Sequence, residues 1–295
     1  MSSVYKAVIP VAGLGTRVLP ASKSIPKEMM PVVDKPVIQH VVEEAVKSGI
    51  KEIILVTRSS KSAIEDHFDK HYELEAELSK KGKTTILESV ANIIPKDVTI
   101  SSVRQPEALG LGHAIHCASS LVNNSPFVVI LPDVLVNNYT NSETDLSRMI
   151  QNFETSNAAQ IMVEAVPEDK VHMYGISDCN GQSPSAGESV SIKSMVEKPA
   201  KEDAPSNLAV VGRYVLPGEI MQLLSDTQPG AGGEIQLTDA LDALLKSNPV
   251  DAYRMMGKTY DCGSKLGYLQ ANIAYGLQHP ETEDGLKAFL NNLDN

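Results

Sequence analysis

Short apolar runs alternate along this chain with segments of helical period. Residues 4–12 (VYKAVIPVA) predict a strand that a glycine turn follows at once. Over residues 36–48, Val37, Val41, Val42, Ala45 and Val46 fall on one helical face, and Gly49 stands where a left-handed residue ends a helix. Residues 52–57 (EIILVT) predict a second strand, with the near-continuous apolar character of a parallel strand covered on both faces. The charged stretch 61–81 predicts an exposed helical excursion. Residues 98–103 predict a third strand, and 127–131 (FVVIL) are the clearest buried strand in the chain.

The second half continues the pattern. Leu146, Met149, Ile150 and Phe153 recur at the i, i+3, i+4, i+7 spacing of an amphipathic helix. Residues 161–166, 189–196 and 208–216 predict strands, and 178–187 (DCNGQSPSAG) a loop. Leu237, Leu241, Leu244 and Leu245 mark one further helix, and Leu266, Leu269, Ile273 and Leu277 a last one. Strand–helix alternation of this kind predicts an α/β layered fold with a mostly parallel sheet. There is no internal repeat and no long linker, so residues 1–295 read as a single domain.

Charge narrows the partners. The 26 Lys and Arg against 37 Asp and Glu give a formal net charge of −11. That balance, with no Trp and only 4% aromatic residues, excludes a nonspecific nucleic-acid-binding module. The 42% hydrophobic and 21% charged content is that of a globular chain, long enough to bury a core without metal or disulfide staples. Cys117, Cys179 and Cys262 form no Cys-x-x-Cys pair, which fits a reducing compartment. The first apolar run is broken by Pro10, Gly13 and Gly15 and is too short for a signal peptide, and no stretch of about 18 apolar residues occurs. A cytoplasmic protein with no membrane span is expected.

Locally the charge reverses. Residues 4–27 hold Lys6, Arg17, Lys23 and Lys27 and no acid. The first strand ends there in Ala12-Gly13-Leu14-Gly15-Thr16-Arg17, where glycines let backbone N–H groups approach a phosphate. The dinucleotide fingerprint G-x-G-x-x-G fails, because its last position is Val18. Gly82-Lys83-Thr84 and Gly257-Lys258-Thr259 each lack the first glycine of a P-loop, with Glu77 and Ala252 in its place.

The full string over residues 12–31, AGLGTRVLPASKSIPKEMMP, resembles the G-x-G-T-R-x-x-P…P-K signature of the sugar-1-phosphate nucleotidylyltransferases, and the shorter A-G-x-G form is similar to that of the bacterial UTP–glucose-1-phosphate uridylyltransferase subgroup. The resemblance runs from residue 4 to about 279, with further motifs in the expected order. It implies a Rossmann-like three-layer sandwich of the nucleotide-diphospho-sugar transferase type, with a mostly parallel mixed sheet. A nucleotide-binding half would span about 1–135, a sugar-phosphate-binding half about 136–262, and a C-terminal helical segment about 263–295. The implied reaction joins UTP and α-D-glucose 1-phosphate into UDP-glucose and pyrophosphate, with Mg²⁺ as cofactor.

The resemblance also implies roles for residues. Arg17 and Lys27 would clamp the triphosphate beside the loop of Ala12, Gly13, Gly15 and Thr16. In Gln105-Pro106-Glu107-Ala108-Leu109-Gly110, Gln105 and Gly110 would recognise uracil; an amide side chain carries both donors and an acceptor for such an edge. Asp133, directly after the most apolar strand, would ligate the metal, and Asp261 is a weaker second candidate. Gly175, Glu197, Lys198 and Gly212 would bind the sugar phosphate, with Lys198 on its phosphate. On strand geometry alone Glu197 and Lys198 should point to opposite faces, so a bend near Pro199 is needed. His113 reads as a packing or helix-start residue, because an ionised phosphate nucleophile needs no general base. Gly232–Asp239 (GGEIQLTD) matches the subgroup, yet reads locally as a helix start with Thr238 and Asp239 exposed. Two alternatives stay open: a transferase for another nucleotide, such as dTTP, or another sugar phosphate, and a noncatalytic regulatory relative. The retained Thr16-Arg17 pair speaks against the second. The family also implies a homodimer or homotetramer, with the 266–277 helix as the candidate contact.

Overall fold

The computed structural model describes residues 3–138, 143–230 and 233–293. Gly232 of the GGEIQLTD motif lies outside them. In the first half the strands are β1 (Lys6–Pro10), β2 (Pro31–Val32), β3 (Lys35–Pro36), β4 (Glu52–Thr57), β5 (Thr99–Arg104), β6 (Phe127–Ile130) and β7 (Val134–Asn137). In the second they are β8 (Ala159–Ala165), β9 (Gly175–Asp178), β10 (Ser189–Ser191), β11 (Ser194–Glu197), β12 (Leu208–Leu216), β13 (Val250–Arg254) and β14 (Lys258–Asp261).

One mixed sheet has the order β10-β13-β8-β12-β6-β1-β4-β5, with β9 pairing to both β11 and β12. The strands β6, β1, β4 and β5 run parallel, β12 lies antiparallel to β6 and β8, and β13 runs parallel to β8. All of this path except β12 and β10 therefore points one way. Residue parity explains the layers. Ala7, Ile9, Ile53, Leu55, Val128 and Ile130 face the helices Val37–Lys47 and Asp145–Ser156. Val8, Ile54, Val56, Phe127 and Val129 face the helices Leu111–His116, Ile220–Asp226 and Leu237–Leu244. Because both faces are covered, every side chain of β6 is buried, which is why its sequence reads as an unbroken apolar run.

One expectation is corrected, and two helical ones are met in more detail than the pattern gives. Residues 189–196 are two strands, because β10 pairs with β13 and β11 with β9; the chain changes partner at Ile192 and Lys193. The 61–81 excursion contains the helices Ser62–Phe68 and Tyr72–Lys80 and is followed by a third, Thr84–Ala91. In the helix Lys265–Gly276 the stripe Leu266, Leu269 and Ile273 points to solvent, while Gly267, Ala271 and Gly276 pack inward; small residues let this helix lie close against β14. Among the described residues, no helix is long and apolar enough to cross a membrane.

Candidate active site

The parallel strands β1, β4, β5 and β6 all end at one edge of the sheet, where open α/β folds bind ligands. A cavity of about 450 Å³ opens there, lined by Ala12, Gly13, Gly15, Thr16, Lys27, Gln105, Gly110 and Asp133. A second, of about 500 Å³, lies over β8, β11 and β12 and is lined by Arg17, Asp133, Glu164, Tyr174, Gly175, Glu197, Lys198, Thr238 and Asp261. Leu111, Leu131 and Asp133 belong to both, so Asp133 stands at the wall between them.

The loop after β1 makes the first wall. Gly15 has φ +68°, and an added Cβ would press on Ser22 and Lys27 at 3.2–3.3 Å, so glycine is required. Short 3-10 turns then bring the chain back, and the Lys27 side chain runs alongside Gly13. Beside Lys27, fully buried Glu28 accepts a hydrogen bond from Lys61 Nζ at 2.7 Å and anchors that turn. Burial pushes the Lys61 ammonium down, against the pull of Glu28 upward.

Asp133 is pinned from two sides. Lys27 Nζ donates to its Oδ2 at 2.6 Å, and Arg17 Nη2 donates to the same oxygen at 3.2 Å. Arg17 Nη1 also donates to Asp261 Oδ2 at 3.1 Å. Burial alone would push the Asp133 carboxyl up; the Lys27 and Arg17 charges outweigh it and hold the group below its usual range. The two carboxylates meet because β7 and β14 pair antiparallel with Val134 opposite Asp261, and Cys262 N–H donates to the Asp133 carbonyl at 2.7 Å. Behind them sits Arg213, fully buried. It grips both oxygens of Glu44 at 2.9 and 2.7 Å and donates to the carbonyls of Leu131 and Val134, which bracket Asp133.

In the second cavity the strand-parity difficulty resolves at Lys198 itself. Its φ of +47° turns it out of β11, and Nζ comes back to 3.3 Å from Glu197 Oε1. Glu197 Oε2 accepts from Thr238 Oγ1 at 2.8 Å. Thr238, in the first turn of the helix Leu237–Leu244, thus lines this site as well as starting a helix, while Asp239 is exposed as expected. Glu164 lines this cavity too, although no motif points to it: both its oxygens lie 2.9 Å from Thr259 Oγ1, which donates to the carboxylate, and burial raises its carboxyl. An acid inside an otherwise apolar strand was the available signal.

Not every expected residue arrives. Gly212 (φ +85°) does not line the cavity: its carbonyl accepts from Leu131 N–H at 2.9 Å and its Cα faces the Leu131 side chain, while Val211 and Tyr214 line the cavity. Lys6 lies at the opposite end of β1, donating to the Leu121 carbonyl at 2.6 Å, and Lys23 lines neither cavity. Of the four cations in the acid-free window, only Arg17 and Lys27 reach the site. Asp261, the weaker metal candidate, does reach it.

A loop of glycines, a paired Arg and Lys, and two facing carboxylates at the carboxyl edge of a mixed sheet define a phosphate-handling transferase site. The sequence profile of the nucleotidyl transferases matches residues 6–277, and the chain belongs to that family. Within it, the chain is 54% identical over 290 residues to a UTP–glucose-1-phosphate uridylyltransferase of Haemophilus influenzae, covering 98% of each chain. Among solved structures it is similar to a UTP-bound UDP-glucose pyrophosphorylase of Acinetobacter baumannii, at 55% identity and TM-score 0.92, covering 97% of this chain and 98% of that one. It is also similar to a UDP-glucose pyrophosphorylase complexed with UDP-glucose, at 42% identity and TM-score 0.83, covering 94% of this chain and all of that one.

Proposed function

We propose that the chain is the enzyme that transfers the uridylyl group of UTP to α-D-glucose 1-phosphate, releasing pyrophosphate and UDP-glucose. One observation carries this reading: Asp133, gripped by Arg17 and Lys27, stands at the wall shared by two adjoining cavities, one lined by the glycine loop and Gln105 and the other by Gly175, Glu197 and Lys198. The first cavity takes UTP, with its triphosphate on the loop of Ala12, Gly13, Gly15 and Thr16 and its base at Gln105 and Gly110. The second takes the hexose at Gly175 and Glu197, with its phosphate on Lys198.

A phosphate oxygen of glucose 1-phosphate attacks the α-phosphorus in line, and the pyrophosphate oxygen leaves from the opposite side. The nucleophile is already ionised, so no base is placed beside it. Arg17, with its planar fork, and Lys27, a compact charge, neutralise the charge that builds on the leaving pyrophosphate. Fixing both substrates at one wall supplies the remaining acceleration by orientation. Asp133 and Asp261 are the residues that would hold Mg²⁺. Their fit is chemical: both are hard carboxylate donors, the kind such an ion takes, and both line the cavity beside Arg17. When bound, the ion offsets the charge of two polyanions in one site. The exposed stripe of Leu266, Leu269 and Ile273 is the surface offered for a homodimer or homotetramer.

A pyrophosphate-release assay with the four common NTPs, each against glucose 1-phosphate and galactose 1-phosphate, tests the reading; release that does not depend on UTP would refute it. Removing divalent metal with EDTA should abolish turnover, and excess Mg²⁺ should restore it. Unchanged turnover after chelation would remove Asp133 and Asp261 from metal binding. Lys198→Ala should raise KM for glucose 1-phosphate about tenfold or more, the loss of one charge-assisted hydrogen bond, with KM for UTP moving far less. An equal rise in both would contradict the division into two cavities.

A further inference from the structure

Gln105 follows β5 directly, and its backbone N–H donates to the Thr57 carbonyl at 2.8 Å, which fixes where its side chain starts. Its amide nitrogen Nε2 donates to the Gly110 carbonyl at 3.1 Å. A carbonyl can only accept, so the nitrogen end of the amide must face Gly110. The same nitrogen lies 3.2 Å from His113 Nδ1. Because Nε2 brings hydrogens, Nδ1 must offer a lone pair, which places the His113 proton on its Nε2. That atom lies 3.8 Å from Cys117 Sγ, one helical turn on, and a thiol sulfur can accept weakly. Both amide hydrogens are thereby used, and Oε1 of Gln105 has no hydrogen-bond partner among the described residues.

What Gln105 offers to a ligand in the nucleotide cavity is therefore an acceptor. Uracil presents a donor, N3–H, in the middle of its pairing edge; cytosine presents an acceptor at the same position. We propose that His113 is a specificity-determining positioning residue: by accepting from Gln105 it holds the amide with its oxygen toward the base, and so selects UTP over CTP. This inference rests on the uridylyl-transfer reading and deepens it. His113 touches neither substrate nor reacting phosphate. It works through the side chain of Gln105, and an amide turned over would present a donor that suits cytosine instead.

The test compares the full-length protein with His113→Leu and His113→Asn in pyrophosphate release from UTP and CTP with glucose 1-phosphate. His113→Leu should lower the UTP-over-CTP ratio of kcat/KM about five- to tenfold, the scale of one neutral hydrogen bond, through KM for UTP with kcat little changed. His113→Asn, whose side-chain oxygen can accept from Gln105, should recover most of that ratio. A ratio unchanged in His113→Leu, or lost equally in both variants, overturns the proposal. Independently of folding in the variants, ¹⁵N spectra of histidine-labelled wild-type protein should show His113 as the neutral tautomer protonated on Nε2. A proton on Nδ1 would overturn the proposal as well. A wild-type enzyme that does not prefer UTP to CTP would instead refute base reading at Gln105, which separates failure of the underlying function from failure of the role given to His113.

Discussion

Arg17→Ala should cut turnover by about a hundredfold to a thousandfold, as expected when one donor to transition-state charge is lost. The side chain spans the two carboxylates, at 3.2 Å from Asp133 and 3.1 Å from Asp261, and lines the second cavity where Asp133 divides it from the first. It is more than half exposed, at 57%, so its ion pairs add little to stability. The variant should therefore unfold at nearly the wild-type temperature while its pyrophosphate release collapses. Arg17→Lys should recover only part of the loss, because an ammonium cannot present two parallel donors to phosphate oxygens. Near-normal release by Arg17→Ala would take Arg17 out of the reaction altogether.

Arg213→Leu should cost stability on a scale that threatens folding. Arg213 is fully buried and the Glu44 side chain is only 9% exposed. Removing the guanidinium leaves a carboxylate and the Leu131 and Val134 carbonyls without their donor, and breaking such a buried pair typically costs about 3–5 kcal/mol. Domains are commonly stable by only about 5–15 kcal/mol, so urea unfolding should show the midpoint moving far down. A second substitution, Glu44→Leu, should return much of the loss, because the unpaired charge is then gone. A single-variant cost below about 1 kcal/mol would show that water reaches Glu44 and that the pair is not what holds the segment carrying Asp133.

The sequence makes the central strands legible for a physical reason. β1, β4 and β6 are buried on both faces along their middles, so their central runs are apolar, and the helix over 37–47 carries a one-sided stripe ended by Gly49 at φ +95°. β7, β9 and β14 escape notice because each is four residues long with polar residues at its ends or along it. The site is legible in its loops, where Gly15, Arg17, Lys27 and Asp133 follow the strand ends. What local sequence cannot carry is direction and long-range pairing. Nothing nearby announces that Lys198 adopts a positive φ, or that Thr238 folds across to Glu197. The fate of Lys6 depends on which end of β1 it occupies, and its positive charge alone does not tell.

The meeting of Arg17 with Asp261 closes a loop of 244 residues, and that of Lys27 with Asp133 one of 106. Closing long loops is thermodynamically mild, since each doubling adds only about 0.6 kcal/mol, but it delays the contact until the distant segment exists and has paired. During synthesis the glycine loop leaves the ribosome early, while its second carboxylate partner arrives only when most of the chain has been made. A nascent or truncated chain that stops before β14 thus displays a basic, glycine-rich loop without the Asp261 carboxylate that pairs with Arg17. Such fragments should be catalytically silent rather than partly active, so activity itself reports that the polypeptide has been finished and folded through to residue 261.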